Sequence, residues 1–310
     1  MSEVQGASSN PPSSSPAGVE HVWVWHQQEV RPAAEVQVSV LDHSFLYGDS
    51  VYETLRTFDG RILAAPEHLD RLERSASRLS LSLPCTRSEI LDALRSAATA
   101  RPSGHEAGLR LMVSRGVGPL GLDIDRCHHP QLFVFGWRIA PGPHPRSESG
   151  MRAVVASVRR NSEESLDPGI KSGNFLNNIL AFREARAAEA DEAILLGLDG
   201  TVRECTTSNV FWVRDGRVRT PSDRGILQGI TRDFVREGCR RAGIEFESGD
   251  YPVEDLRTAD EIFISSTLKG VLPVAVLDGD RLGTGAVTPR VRAAYEDVLQ
   301  EHLDTPSEPS

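Results

Sequence analysis

PGIKSGNFLNNILAFREARA (residues 168–187) and GTVRECTTSNVFWVRDG (residues 200–216) are the two stretches on which the reading of this chain turns. The first passes from a Pro-Gly turn through Lys171 into a run with Leu176, Ile179 and Leu180 at helical spacing. A lysine held against a packed apolar helix loses water, which favours the neutral, nucleophilic amine; a lysine at a solvated helix start does not. The second stretch is strand-like and reaches Asp215-Gly216, a pair suited to the positive φ angles of a tight hairpin. It also ends a strand on Glu204, beside a run of hydroxyl side chains. That carboxylate is either exposed or available to pair with a pyridinium nitrogen.

Working outward, GILQGITRDFVREG (225–238) places Gly229, Ile230 and Thr231 where an amphipathic helix begins. Free amides and the positive end of the helix dipole make such a start a phosphate site, although any helix start can do the same. Further Asp-Gly pairs at 59–60, 199–200 and 278–279 punctuate short β-like runs, so antiparallel sheet is a major component. Helices are expected at 66–79, 86–100, 173–188, 231–242 and 289–299, the second opened by Thr86 and Glu89 at capping-box spacing. The class is α+β.

The Pro/Gly/Ser-rich stretch 140–150 is the expected linker between a smaller domain, 20–139, and a larger one, 151–302. Residues 1–19 and 303–310 read as tails with too few large apolar side chains to offset the entropy of ordering.

Composition narrows the chemistry. With a formal charge of −10, the chain has no general attraction for nucleic acid or anionic lipid. No stretch approaches the roughly 20 apolar residues that span a bilayer, and no basic-then-apolar signal pattern opens the chain, so the cytoplasm is the expected compartment. Cys85, Cys127, Cys205 and Cys239 show no CxxC spacing; neither a metal site nor a disulfide framework is expected. The 34 basic residues include only two lysines, Lys171 and Lys269. Guanidinium stays protonated and cannot replace a nucleophilic amine, which singles out both lysines unless arginine drift left them by chance. Gly116-Val-Gly118-Pro-Leu-Gly121 fits GxGxxG, but Pro119 and the following LDIDRCHHP give no helix for a pyrophosphate to meet. It reads as a glycine loop between strands.

A lysine, a distant glutamate and a helix-start phosphate cup are the groups a pyridoxal phosphate site needs. The chain resembles the class IV aminotransferases, the group of branched-chain aminotransferases, D-amino acid aminotransferases and aminodeoxychorismate lyases. The resemblance runs through DHSFLYGDSVYETLR (42–56), EHLDRLERSA (67–76), LRLMVSRGVGPLGLD (109–123), IKSGNFLNNILAFREA (170–185), DEAILLGLDGTVRECTTSNVF (191–211), GILQGITR (225–232) and ADEIFISSTLKGVLPV (259–274). It implies a small α/β sandwich domain, a larger pseudo-barrel domain, pyridoxal 5'-phosphate between them, and a homodimer. It further implies that Lys171 is the Schiff-base lysine, that Glu204 partners the ring nitrogen, and that Arg71, Ile230, Thr231 and Thr267 hold the phosphate. The amino donor would be a hydrophobic, branched-chain type L-amino acid and the acceptor a 2-oxo acid such as 2-oxoglutarate, in a ping-pong cycle. An aminodeoxychorismate lyase or a D-amino acid aminotransferase is the alternative.

This chain departs from the branched-chain pattern at Thr54, where a glycine is usual, and at Gly108, where a tyrosine is usual. Phe175 stands where, in the transaminases it resembles, a tyrosine hydroxyl often meets the cofactor's phenolic oxygen, leaving that oxygen to the aldimine proton or to another donor such as Asn209. Tyr47 and Tyr52 match pocket positions, and the Thr267-Leu268 turn matches the one facing the substrate carboxylate. Arg56 and Arg110 form a carboxylate trap or are strand arginines paired with acids. Lys269 points inward as a second cation or, the expected case, outward to water.

Overall fold

A computed structural model describes residues 21–283 and 285–304; the stretch 1–19 lies outside them, as does most of 303–310. Six strands form the first sheet: β1 (Val22–His26), β2 (Glu29–Pro32), β3 (Ser50–Phe58), β4 (Arg61–Ile62), β5 (Glu106–Ser114) and β6 (Gln131–Ile139), in the order β2-β1-β6-β5-β3-β4. The inward positions of β3 and β5, Val51, Leu55, Leu109 and Leu111, meet Leu69, Leu72 and Leu94 from the two helices on that face, α2 (Ala65–Arg78) and α3 (Arg87–Thr99). A fully buried leucine of this kind stabilises by about 1.5–3 kcal/mol. The Thr86–Glu89 capping box forms as its spacing requires. Before β3 lies the short helix α1 (His43–Tyr47).

Nine strands form the second, larger sheet, which curls into a half-barrel. They are β7 (Met151–Arg159), β8 (Glu192–Leu196), β9 (Val202–Cys205), β10 (Asn209–Arg214), β11 (Arg217–Pro221), β12 (Phe246–Gly249), β13 (Glu261–Ser266), β14 (Gly270–Leu277) and β15 (Asp280–Arg281). Their order is β12-β11-β10-β13-β14-β7-β8-β9, with β15 pairing β14. The helices of this half are α4 (Glu163–Leu166), α5 (Leu176–Ala187), α6 (Ile230–Arg241), α7 (Val253–Arg257) and α8 (Val287–Asp304). Asp59-Gly60, Asp215-Gly216 and Asp278-Gly279 each close a two-residue hairpin with both residues at positive φ. At 199–200 the loop is longer, from Leu196 to Val202, and only Gly200 is at positive φ.

The two halves share apolar surface. Leu63 and Ala64, between β4 and α2, are buried with Phe211, Phe263 and Val298 of the larger half. Residues 303–304 end α8 rather than starting a tail, and Leu303 is buried in the same cluster. No helix among the described residues is long and apolar enough to cross a membrane.

One expectation is corrected. The Leu176, Ile179 and Leu180 side of α5 is not packed: these residues are 76%, 51% and 47% exposed, and the helix buries only Ala181 and Ala185. Helical spacing identifies an apolar stripe but not what covers it.

Candidate active site

The segment carrying Lys171 is stitched to the first sheet by its backbone. The Lys171 amide donates to Ser75 Oγ on α2 at 3.2 Å, and its carbonyl accepts from the Tyr52 amide on β3 at 3.0 Å. Ser172 bridges to Val51, and the Gly173 amide donates to the Ser50 carbonyl at 2.9 Å. A Cβ at 173 would run into Ser50 Oγ, so a larger residue there has to displace that side chain. The surface beside the lysine is thus β3, not α5: Nζ stands 4.5 Å from the Tyr52 ring centroid. It faces a cavity of about 320 Å³ between the two sheets.

Glu204, at the end of β9, lines the same cavity, nearly buried. Oε1 accepts from Arg160 Nε at 2.8 Å, and Oε2 from the Leu227 amide at 3.0 Å. Burial pushes this carboxyl above its ordinary range, while Arg160, the Leu227 amide and Lys171 pull the other way. Arg160 itself is held by Asn177 Oδ1 at 3.0 Å. Sequence reasoning missed Arg160, since the run VASVRRNSEES carries no signal that one of its arginines turns inward.

Gly229 opens α6 without a side-chain cap, leaving first-turn amides free, and Ile230 and Thr231 face the cavity. Arg71 comes to this place from α2. Its Nε and Nη2 donate to Glu53 at 2.8 and 2.6 Å, and Nη1 donates to the Gln228 carbonyl at 2.8 Å. Thr267 and Leu268 form the cavity-lining turn between β13 and β14.

Lys269 does not point to water. Its ammonium donates to the buried Glu192 carboxylate at 3.0 Å and to Ser208 Oγ at 3.3 Å. Glu192 also accepts the Thr206 amide at 3.1 Å and the Thr206 hydroxyl. The second lysine therefore ties the 267–269 turn to the 206–208 loop, with its charge already matched by Glu192. Sequence reasoning missed Glu192 as that partner.

Arg110 and Tyr52 both line the cavity. Tyr47 and Arg56 do not: the Tyr47 hydroxyl accepts the Gly121 amide at 2.9 Å, away from the cavity wall. Arg56 donates to the Leu268 carbonyl at 3.1 Å and lies over the Phe58 ring. It therefore backs the turn instead of facing the space in front of it. Asn209 lines the cavity, but its amide donates to the Leu227 carbonyl at 3.0 Å and packs so closely on Gly229 that a Cβ there would overlap it. Its visible work is to hold the 227–229 loop. The loop at 116–121 leads into a single 3-10 turn, Ile124–Arg126, so no helix opens there.

The donor set fits pyridoxal 5'-phosphate. A dianion suits the uncapped start of α6 with Arg71 beside it, and a protonated ring nitrogen suits a buried glutamate. Ser265, which lines the same cavity, has a buried Oγ with no hydrogen-bond partner among the described residues.

Comparison with known proteins follows the same line. A family model described as amino-transferase class IV matches residues 50–277. A Methanocaldococcus jannaschii protein, provisionally named a branched-chain-amino-acid aminotransferase, is 39% identical over 85% of this chain and 92% of its own length. The aminodeoxychorismate lyase of Bacillus subtilis is 33% identical over 86% of this chain and 91% of its own length. Among solved structures, the branched-chain aminotransferase of the thermophilic archaeon Thermoproteus uzoniensis, with norvaline, superposes with a TM-score of 0.82 at 31% identity. That match covers 91% of this chain and 97% of the other.

Proposed function

This chain belongs to the class IV aminotransferase family, whose cofactor is pyridoxal 5'-phosphate, and on that premise we propose a branched-chain type transaminase. It would move the amino group of a hydrophobic L-amino acid to a 2-oxo acid such as 2-oxoglutarate, in a ping-pong cycle. The observation that carries this reading is the convergence of Lys171, Glu204, Arg71 and the free start of α6 on one cavity.

The cofactor, when bound, supplies an electrophilic carbon for amines and a ring that withdraws electrons from the substrate Cα. Arg71, the first-turn amides of α6 and Thr267 bind its phosphate. Glu204, backed by Arg160, holds a proton on the ring nitrogen. Lys171 anchors the cofactor and moves the proton at the substrate Cα, beside the rings of Tyr52 and Phe175 that line the cavity. The Thr267-Leu268 turn and Arg110 receive carboxylates.

A homodimer and the division at residues 140–150 belong to the same proposal. Phe45, Leu120, Leu122 and Leu176 are 69–81% exposed, an apolar surface of the kind a second copy covers. Cys85, Cys127, Cys205 and Cys239 are all unpaired, which supports action in the cytoplasm.

The test is a half-reaction panel on the purified holoenzyme, following the cofactor spectrum with L-leucine, D-alanine and aminodeoxychorismate. Conversion by L-leucine with release of its 2-oxo acid supports the proposal. Conversion by D-alanine alone, or release of pyruvate and 4-aminobenzoate from aminodeoxychorismate, replaces it with the corresponding alternative.

A further inference from the structure

Behind the cavity wall lies a buried charge cluster that the proposed chemistry does not use directly. We infer that Glu53 and His68 are positioning residues for the cofactor phosphate: they dock Arg71 so that its free N–H groups face the start of α6. This rests on the reading of Arg71 as a phosphate ligand.

Glu53 sits on β3 with no exposed surface, and His68 sits on α2 at 1% exposure; neither lines the cavity. Glu53 takes Nε and Nη2 of Arg71 side-on, at 2.8 and 2.6 Å, and His68 Nδ1 at 2.7 Å. Because a carboxylate only accepts, Nδ1 must carry the proton of that bond. A buried carboxylate of this kind is tolerable only when charged partners and donors fill its lone pairs, and here they do. Glu53 accordingly stays ionised down to about pH 2, whereas burial pushes His68 below its ordinary range and keeps it a neutral donor.

The fork leaves the guanidinium little freedom. Of its five N–H groups, two meet Glu53 and one meets the Gln228 carbonyl, which leaves one on each terminal nitrogen. Arg71 is the member of the cluster that reaches the cavity, beside Gly229, Ile230 and Thr231. An arginine fixed by its side edge offers a preformed grip to an oxyanion without the entropy cost of ordering a long side chain. Glu53 also ties that grip to β3, the strand whose next residue back, Tyr52, receives Lys171.

The experiment compares equilibrium binding of pyridoxal 5'-phosphate and of pyridoxal, which lacks the phosphate, to wild type, Glu53→Gln, His68→Leu and Arg71→Lys. A merely structural role would weaken both ligands alike. Docking predicts that Glu53→Gln weakens pyridoxal 5'-phosphate by about tenfold or more while pyridoxal binding stays near wild type. His68→Leu should move the same ratio in the same direction by less, and carries the test if Glu53→Gln does not fold. A wild-type ratio in the folded Glu53 variant, or in His68→Leu when that variant carries the test, overturns the inference, provided Arg71→Lys has changed it. An unchanged ratio in Arg71→Lys instead removes Arg71 as phosphate ligand, and a wild type that binds neither compound removes the proposed function itself.

Discussion

The Arg110 guanidinium carbon stands over the Tyr52 ring, 4.0 Å from its centroid, and forms an ion pair with no carboxylate among the described residues. Burial works against its charge and lowers its pKa, and the phenol of Tyr52 partly compensates. A cation held this way at a cavity wall is available to an incoming carboxylate. Arg110→Met is expected to lower kcat/KM for 2-oxoglutarate by about 10- to 100-fold, the worth of a charge-assisted hydrogen bond. Steady-state kinetics with a monocarboxylic hydrophobic oxo acid should show a smaller loss; equal losses would place Arg110 on the carboxylate that both acceptors share.

Arg160 opposes the burial that raises the Glu204 pKa. Removing the guanidinium raises it further, so the carboxylate is lost at a higher pH than in wild type. Arg160→Met should therefore shift the acidic limb of the kcat profile upward and reduce the plateau. Glu204→Gln should slow the step at Cα while leaving phosphate anchoring intact, read as unchanged cofactor affinity with reduced kcat.

Acid stability follows from the Glu53 cluster. The folded-state pKa of about 2 lies below the ordinary 4.5, so ionised Glu53 stabilises the fold above the higher value. That contribution, on the order of 3 kcal/mol, is lost as pH falls from about 4.5 through about 2. His68, also lowered, acts in the same direction, beginning below its ordinary 6.5. Thermal melts from about pH 6 to about pH 3 should show the gap between wild type and Glu53→Gln narrowing with acid.

Lys269 neutralises Glu192, which is 1% exposed. Lys269→Met leaves that carboxylate without its cation and frees the 206–208 loop from the 267–269 turn. A loss of about 1–3 kcal/mol in unfolding free energy is expected, with KM raised for every substrate. Because the charge is already matched, the preference for dicarboxylate over monocarboxylate acceptors should not change; a large change would make Lys269 a substrate cation after all.

Local chemistry was the legible part of this molecule. Turn signals such as Asp215-Gly216 and the Thr86–Glu89 cap depend on residues close in sequence, and they form where their spacing puts them. Lys171, Glu204 and Thr231, which line one cavity, each sit in a block with its own local context. The pairs that cross the fold were not: Arg160 meets Glu204 across 44 residues, and Lys269 meets Glu192 across 77. Gly108 shows the same limit. It stands directly opposite Trp137 on β6, whose indole fills the place a side chain at 108 would need. The missing tyrosine is thus matched by an aromatic on the neighbouring strand, and only register reveals it. For α5 the stripe was visible, but whether it faced its own chain or open surface was not.

The central claim is that Lys171, and not Lys269, carries the cofactor. Borohydride reduction of the loaded protein followed by peptide mapping tests it directly. The account predicts the added mass on the peptide containing Lys171, and its loss together with turnover in Lys171→Ala. Mass on Lys269, or full turnover in the Lys171 variant, would contradict it.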